Sequence, residues 1–305
     1  MKLIKQDFNI VNQQGFSIKD IKKHIEYCAR ISYKSQDKIT DTSYEKFVNM
    51  LVKRDHARPL EFGTVHLKMI LPDFKEFIHS LLIIGMFNNI WIKYAYKGDI
   101  VYITTNYRYY LYIVKNLLNV KEYFTEEDNE YYPKRYTVHF ITSRGIMDEF
   151  RTHIGLSHLA ESTRYCNYSK DKFGNEITFI IPNWIKLKYD YVSTDNVGNN
   201  EIYVDGVEQD WYNEEDETTK EFLYSVQDAE STYIKLLEKG CTPQQAREVL
   251  PLSVKSELIS CGFEDVWTNF FMRRCAKDAH PMAREIATKV RDEFNKLKNE
   301  TKESK

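Results

Sequence analysis

Apolar residues recur at helical spacing through "SIKDIKKHIEYCARISY", residues 17–33, where Ile18, Ile21, Ile25 and Cys28 or Ala29 share one face and Ser17 stands as a candidate N-cap. A second helix is expected over about 43–54. The period then changes. In "RPLEFGTVHLKMIL" the residues after Gly63 alternate, Thr64, His66 and Lys68 against Val65, Leu67 and Met69, which predicts a half-buried strand. Helical spacing returns from Phe74 to Met86, and the Tyr-rich run Val101–Leu118 reads as a strand or turn entering another helix. "EYFTEEDNEYYPK" reads as an acidic surface loop, followed by a strand at Tyr136–Thr142 and a helix from about Gly145 to His153.

Beyond this point "EITFIIP" is a short apolar strand stopped by Pro182. Residues 192–217, rich in Gly, Asn and acid, read as a surface hairpin or flexible insertion. A long amphipathic helix is expected over 218–239 (Phe222, Val226, Tyr233, Leu236, Leu237), ended by Gly240. "TPQQAREVLP" starts a helix with Thr242 as N-cap, Pro243 at its first position and Gln245 completing a capping box, and Pro251 stops it. Two more helices close the chain at about 264–275 and 280–298. Helices with dispersed strands and no internal repeat imply an α+β fold with a small central antiparallel sheet, one domain over residues 1–305.

Composition narrows the function classes. Forty-three basic against forty-five acidic side chains leave a formal net charge of -2, so no global field favours nucleic acid or an anionic membrane. The most apolar stretch, Phe77–Ile92, is interrupted by His79, Ser80, Asn88 and Asn89, and neither a membrane span nor an export signal is indicated; a cytoplasmic location is expected. The five cysteines are scattered with no CxxC pair, which fits free thiols in a reducing compartment. Clustered Cys and His ligands are lacking, so no metal site is expected. Neither GxGxxG nor GxxxxGK[ST] occurs, so a nucleotide must be held mainly by side chains.

Chemistry concentrates in "FRTHIGLSHLAESTRYCNYS", residues 150–169. If this stretch stays helical, His153 and Ser157 share a face at i,i+4 and Glu161 extends it; if the chain leaves the helix near Glu161, "TRYCNY" runs extended and aims Ser162 and Arg164 at a phosphate or carbonyl. The same residues would also serve as a solvated polar helix face. Cys166, beside Tyr165, reads as a buried thiol rather than a nucleophile. Arg247 in "AREVLP" and Arg274 at the end of "WTNFFMRRCA" are each ordinary surface arginines alone, and together with Arg164 they suggest a site for an anion.

"ESTRYCNYS", "AREVLP" and "NFFMRRCAKDAHPMAREIA", with "RDHARPLEFGTVHLKM" upstream, resemble the flavin-dependent thymidylate synthases in the family's order between about residues 55 and 288. The resemblance implies a thymidylate synthase-complementing protein-like fold, and transfer of a one-carbon unit from methylenetetrahydrofolate to deoxyuridylate (dUMP) with FAD and NADPH. It also implies a homotetramer with sites shared between subunits. It assigns dUMP to Glu149, Arg151, Glu161, Ser162, Arg164, Arg247 and Arg274, with Arg274 polarising the uracil ring and Ser162 beside the pyrimidine as the catalytic pair. FAD falls to His56, Arg58, Glu61, Thr152, His153, Ile154, Ala160, Phe263 and Asn269. The family's Arg-His-Arg triplet, aligned on Ser162, becomes Thr152-His153-Ile154, and Phe263 replaces a usual asparagine. Those departures leave two further readings: a related pyrimidine-nucleotide one-carbon transferase, such as a hydroxymethylating enzyme, or a non-catalytic nucleotide-binding homologue.

Overall fold

The computed structural model describes residues 1–87, 90–117, 119–162, 168, 176–185, 201–203 and 216–303. Mixed helices and small, mostly antiparallel sheets make up the α+β fold, as expected, with the strands divided among three sheets. The first consists of β3 (Thr64–Ile70), β4 (Ile92–Lys97), β5 (Ile100–Asn106) and β6 (Phe124–Thr125) in the antiparallel order β4-β5-β3-β6. It packs against α1 (Ile18–Tyr33), α2 (Ser43–Lys53), α3 (Leu71–Ile83) and α4 (Tyr107–Asn116) through Ile21, Ile25, Leu51, Leu67, Phe74, Ile103 and Ile113. Strand β3 is buried on both faces: His66 stacks between Phe16 and Tyr132 at 3.9 Å on each side, so the strand is not half-solvated as its alternation predicted. The acidic "surface loop" is accordingly pinned, since Tyr132 is fully buried within it.

The second sheet carries the candidate chemistry. Its order is β2-β7-β11-β8, all antiparallel, from β2 (Asp7–Ile10), β7 (Arg135–Ser143), β8 (Ser157–Ala160) and β11 (Lys255–Phe263). Strands β7 and β11 pair over nine residues, from Lys255 opposite Ser143 to Phe263 opposite Arg135. Nothing in the pattern of the chain marks β11: eight of the nine residues of "KSELISCGF" are buried, so no alternation between core and solvent shows. Each of these strands runs directly into a helix, β7 into α5 (Arg144–Arg151) and β11 into α8 (Glu264–Arg274). Ser143 caps α5 by accepting from the Ile146 N–H (3.4 Å). Both helices, with α9 (Pro281–Glu303), cover one face of the sheet through Phe140, Phe150, Leu258, Trp267, Phe270 and Ile286. The other face receives α1 through Cys28, Ile31, Ile259 and Cys261, so α1 joins two cores.

The third sheet has the order β10-β1-β9, with β1 (Lys2–Ile4) antiparallel to β10 (Glu201–Tyr203) and parallel to β9 (Thr178–Ile180). Helices α6 (Glu217–Glu238) and α7 (Pro243–Ala246) pack on it through Leu223, Val226, Tyr233 and Ala246. Thr242 and Gln245 form the expected capping box, and Gly240 ends α6 at a φ of 90°. Within the 192–217 insertion, β10 is a sheet edge and 216–217 open α6; the rest lies outside the described residues. No helix among the described residues is long and apolar enough to cross a membrane.

Candidate functional site

The polar stretch after β7 does not continue as helix to Glu161. Helix α5 ends at Arg151, Gly155 turns the chain at a φ of 96°, and Ser157–Ala160 join β11 as an edge strand. His153 and Ser157 therefore do not share a helical face; their partners come from elsewhere.

Arg274, the last residue of α8, lies over α5. Its guanidinium donates to the Glu149 carboxylate (3.2 Å), to the Glu149 carbonyl (2.5 Å) and to the Thr152 hydroxyl (3.4 Å), and sits 5.9 Å from the Phe150 ring centre. The Thr152 hydroxyl also donates to the Glu149 carbonyl (2.7 Å). Beneath this clamp His153 meets Phe270 edge-on at 5.4 Å. Burial lowers the His153 pKa, with the Arg274 and Arg273 charges adding to the effect against a hydrogen bond to the Val266 backbone. Two polar atoms here, Arg274 Nε and His153 Nε2, are buried without a hydrogen-bond partner among the described residues. Native proteins satisfy nearly all such groups, so both atoms call for a partner that the described residues do not supply.

His158 ties this corner to the sheet. Its Nδ1 is 2.8 Å from the Ser260 hydroxyl and its Nε2 is 3.2 Å from the His153 carbonyl. Burial pushes its pKa down to about 4, and the charges of Arg58 and Arg151 add to the shift. Two expected site arginines from distant parts of the chain thus act electrostatically on one imidazole. Arg151 itself is largely exposed and paired with Asp148 at 3.1 Å. Ile154 is 86% exposed.

Glu61 anchors the upstream segment. It is almost fully buried, accepts from the Ser157 hydroxyl (2.5 Å) and from Arg108 (2.5 Å), and lies 3.9 Å from Arg58. Arg135 donates to the Glu61 carbonyl (2.7 Å). The expected flavin-side residue is therefore a buried junction joining β8 to the turn before β3; Ser157 belongs with it rather than with His153, as do Arg108 and Arg135, which the pattern of the chain does not single out. His56 and Arg58 are exposed beside it, and Ala160 is half-buried at the end of β8.

Glu161 is likewise buried. Its N–H donates to the Glu257 carbonyl (2.8 Å), and its carboxylate lies 3.4 Å from Lys255 and 3.6 Å from Lys34. Ser162, half-buried, follows directly. Phe263 is buried with Lys93 and Arg135 over its ring (5.2 and 5.5 Å), while Asn269 is exposed on α8. Arg247 lies in the turn after α7, its Nε on Glu248 at 3.3 Å. Arg164 and Cys166 lie outside the described residues. Of the expected residues, the fold thus gathers Glu149, Thr152, His153 and Arg274 at one point, with Arg58 and Arg151 around the adjoining His158, and carries Arg247 on the layer of the third sheet.

No curated protein matches the chain. Among solved structures it resembles the UMP/dUMP methylase PolB from Streptomyces cacaoi bound with 5-Br UMP, at 14% identity over 97% of this chain and 92% of that one, with a TM-score of 0.43. PolB bound with 5-Br dUMP also matches, at 14% identity over 97% and 93% and a TM-score of 0.42. A family described as thymidylate synthase complementing protein matches residues 134–298. That stretch covers more than half the chain and takes in β7, α5, β8, β11 and α8, the elements that hold Arg274 over His153, so the chain belongs to the thymidylate synthase complementing protein family.

Proposed function

We propose that this chain is a flavin-dependent thymidylate synthase, transferring a one-carbon unit from methylenetetrahydrofolate to dUMP with FAD and NADPH. The observation that carries the reading is the clamped Arg274: its Nη atoms are spent on Glu149 and Thr152, its Nε is buried and unpartnered, and the orphaned His153 Nε2 belongs to the same corner. Uracil is a poor carbon nucleophile, and a fixed cation at its amide edge stabilises the negative charge that develops as the ring attacks. Arg274 supplies that charge with no proton transfer, and Glu149 prevents it from turning away. Ser162 and Arg164 carry over from the family as contacts to the pyrimidine and its phosphate.

The flavin, when bound, supplies the redox chemistry that turns the transferred carbon into a methyl group. His153 Nε2 is the unsatisfied buried atom that fits a heterocycle hydrogen bond, and the exposed His56, Arg58 and Asn269 are open to the rest of a dinucleotide. Arg151, one residue before the altered triplet, offers the guanidinium that Ile154 lacks. A homotetramer with shared sites would cover exposed apolar side chains such as Leu252 and Met272 (69% and 70%).

Purified protein is expected to carry or take up FAD, seen as a flavin spectrum, and to oxidise its reduced flavin when dUMP and methylenetetrahydrofolate are added, giving thymidylate by mass spectrometry. A hydroxymethylated product would instead identify the related transferase. Protein that neither binds FAD nor turns over, yet binds dUMP through Arg274, would be the non-catalytic homologue.

A further inference from the structure

Directly behind Ser162 lies a group of charges that the proposed chemistry does not use. Glu257, on β11, pairs with both Lys34 and Lys255 and lies 3.0 Å from His139 Nε2 on β7. Lys255 Nζ also reaches Glu161 Oε2 (3.4 Å). Both carboxylates are nearly sealed from solvent, at 3% and 7% exposure for Glu161 and Glu257. Burial works against the charge on Glu257, but Lys255, His139 and Lys34 outweigh it and hold its carboxyl well below the usual range. For Lys255, burial is likewise outweighed, by Glu161 and Glu257, and its ammonium is held above the ordinary lysine value; Lys34 is drawn below it by burial and by Lys255.

The cluster sits where β8 leaves the sheet. The ladder's last pair is Ala160 with Leu258. One residue on, the Glu161 N–H still donates to the Glu257 carbonyl (2.8 Å), but the Glu257 N–H donates to the Glu161 side chain, Oε2, at 3.2 Å. A carboxylate thus replaces the backbone acceptor that would have continued the strand, and Lys255 holds that carboxylate in place. Replacing buried ion groups by apolar side chains is commonly neutral or stabilising, so stability alone does not call for five titratable groups here. What they do fix is the backbone and side chain of the residue before Ser162.

We propose that Lys255, acting with Glu257 and Lys34, is a positioning residue for the pyrimidine nucleotide: it locks Glu161 at the exit of β8 and so sets the placement of Ser162. The inference rests on the reading of Ser162 as a dUMP contact. Lys255, Glu257 and Lys34 act in this proposal only through Glu161 and Ser162.

The experiment uses the full chain loaded with FAD, comparing wild type with Lys255→Met and Lys255→Arg. Lys255→Met is expected to weaken dUMP binding about tenfold by calorimetry while leaving FAD affinity unchanged, and Lys255→Arg to restore it to within about twofold. Independently of any ligand, amide hydrogen exchange across residues 157–162 should rise about tenfold in Lys255→Met with α5 unaffected. Unchanged dUMP affinity together with unchanged exchange overturns the proposal. Equal losses of dUMP and FAD affinity also overturn it, because they mark a merely structural role. If wild type binds no dUMP, the functional reading fails, and the exchange measurement alone decides whether Lys255 anchors this exit. Should Lys255→Met not fold, Glu257→Gln carries the same comparison.

Discussion

At the residue scale the decisive contact is between Glu149 and Arg274, which lie far apart in the chain and meet because α5 and α8 fold back on the same face of one sheet. Arg274→Ala should lower turnover about 100-fold to 1000-fold, the usual loss when a fixed donor to a developing charge is removed. Steady-state kinetics with dUMP check this, and an unchanged melting temperature separates it from unfolding. Ile154 offers the opposite test. Because it is 86% exposed, Ile154→Arg should change stability by less than about 0.5 kcal/mol. Restoring the family's guanidinium should tighten FAD binding about tenfold, in line with a hydrogen bond to a charged group, as read by flavin fluorescence titration.

The signature residues near Glu161–Ser162 and at Arg274 were legible as residue types in the family's order. Their partners were not. Glu61 pairs with Arg108 and Ser157, and Glu161 with Lys255 and Lys34, across separations that carry no local pattern.

At the scale of elements, most helices were legible, whereas several strands, β8 and the long β11 among them, were not. Helix α1 begins at Ile18 with Ser17 capping the Asp20 N–H (3.1 Å), and α7 carries its capping box, because caps and turns are satisfied within a few residues. Strand β11 escaped because it is central: eight of its nine residues are buried, so no alternation with solvent marks it. Its core role can be measured. Leu258→Ala, at a fully buried position between α5, α8 and β7, should cost about 2–5 kcal/mol in urea unfolding. Gly155→Ala should also destabilise, by about 1–3 kcal/mol, since its φ of 96° strains any L side chain and a Cβ would lie 2.9 Å from Val266.

At the scale of the whole molecule, buried imidazoles tie stability to pH. His24, His66 and His158 each have a pKa pushed down to about 4, chiefly by burial, from an ordinary value of 6.5. Between these values the unfolded chain binds more protons than the folded one. The contribution of each neutral ring is therefore complete above about pH 6.5 and is lost progressively as the pH falls towards 4, at up to about 1.4 kcal/mol per pH unit for each ring. Urea midpoints should drop between pH 7 and 4.5. His66→Phe, which keeps the stack between Phe16 and Tyr132 but carries no proton, should flatten part of that slope.

By itself the sequence determined the α+β character and the approximate place of most helices, because periodicity and caps act over a few positions. Only the tertiary structure decided that the strands form three sheets, that the polar stretch leaves its helix at Thr152 to become an edge strand, and that Glu149 holds Arg274 near a buried His153 whose Nε2 has no partner among the described residues. Those outcomes depend on which buried surfaces and charges meet across the chain, and burial is a property of the packed molecule rather than of any segment in it.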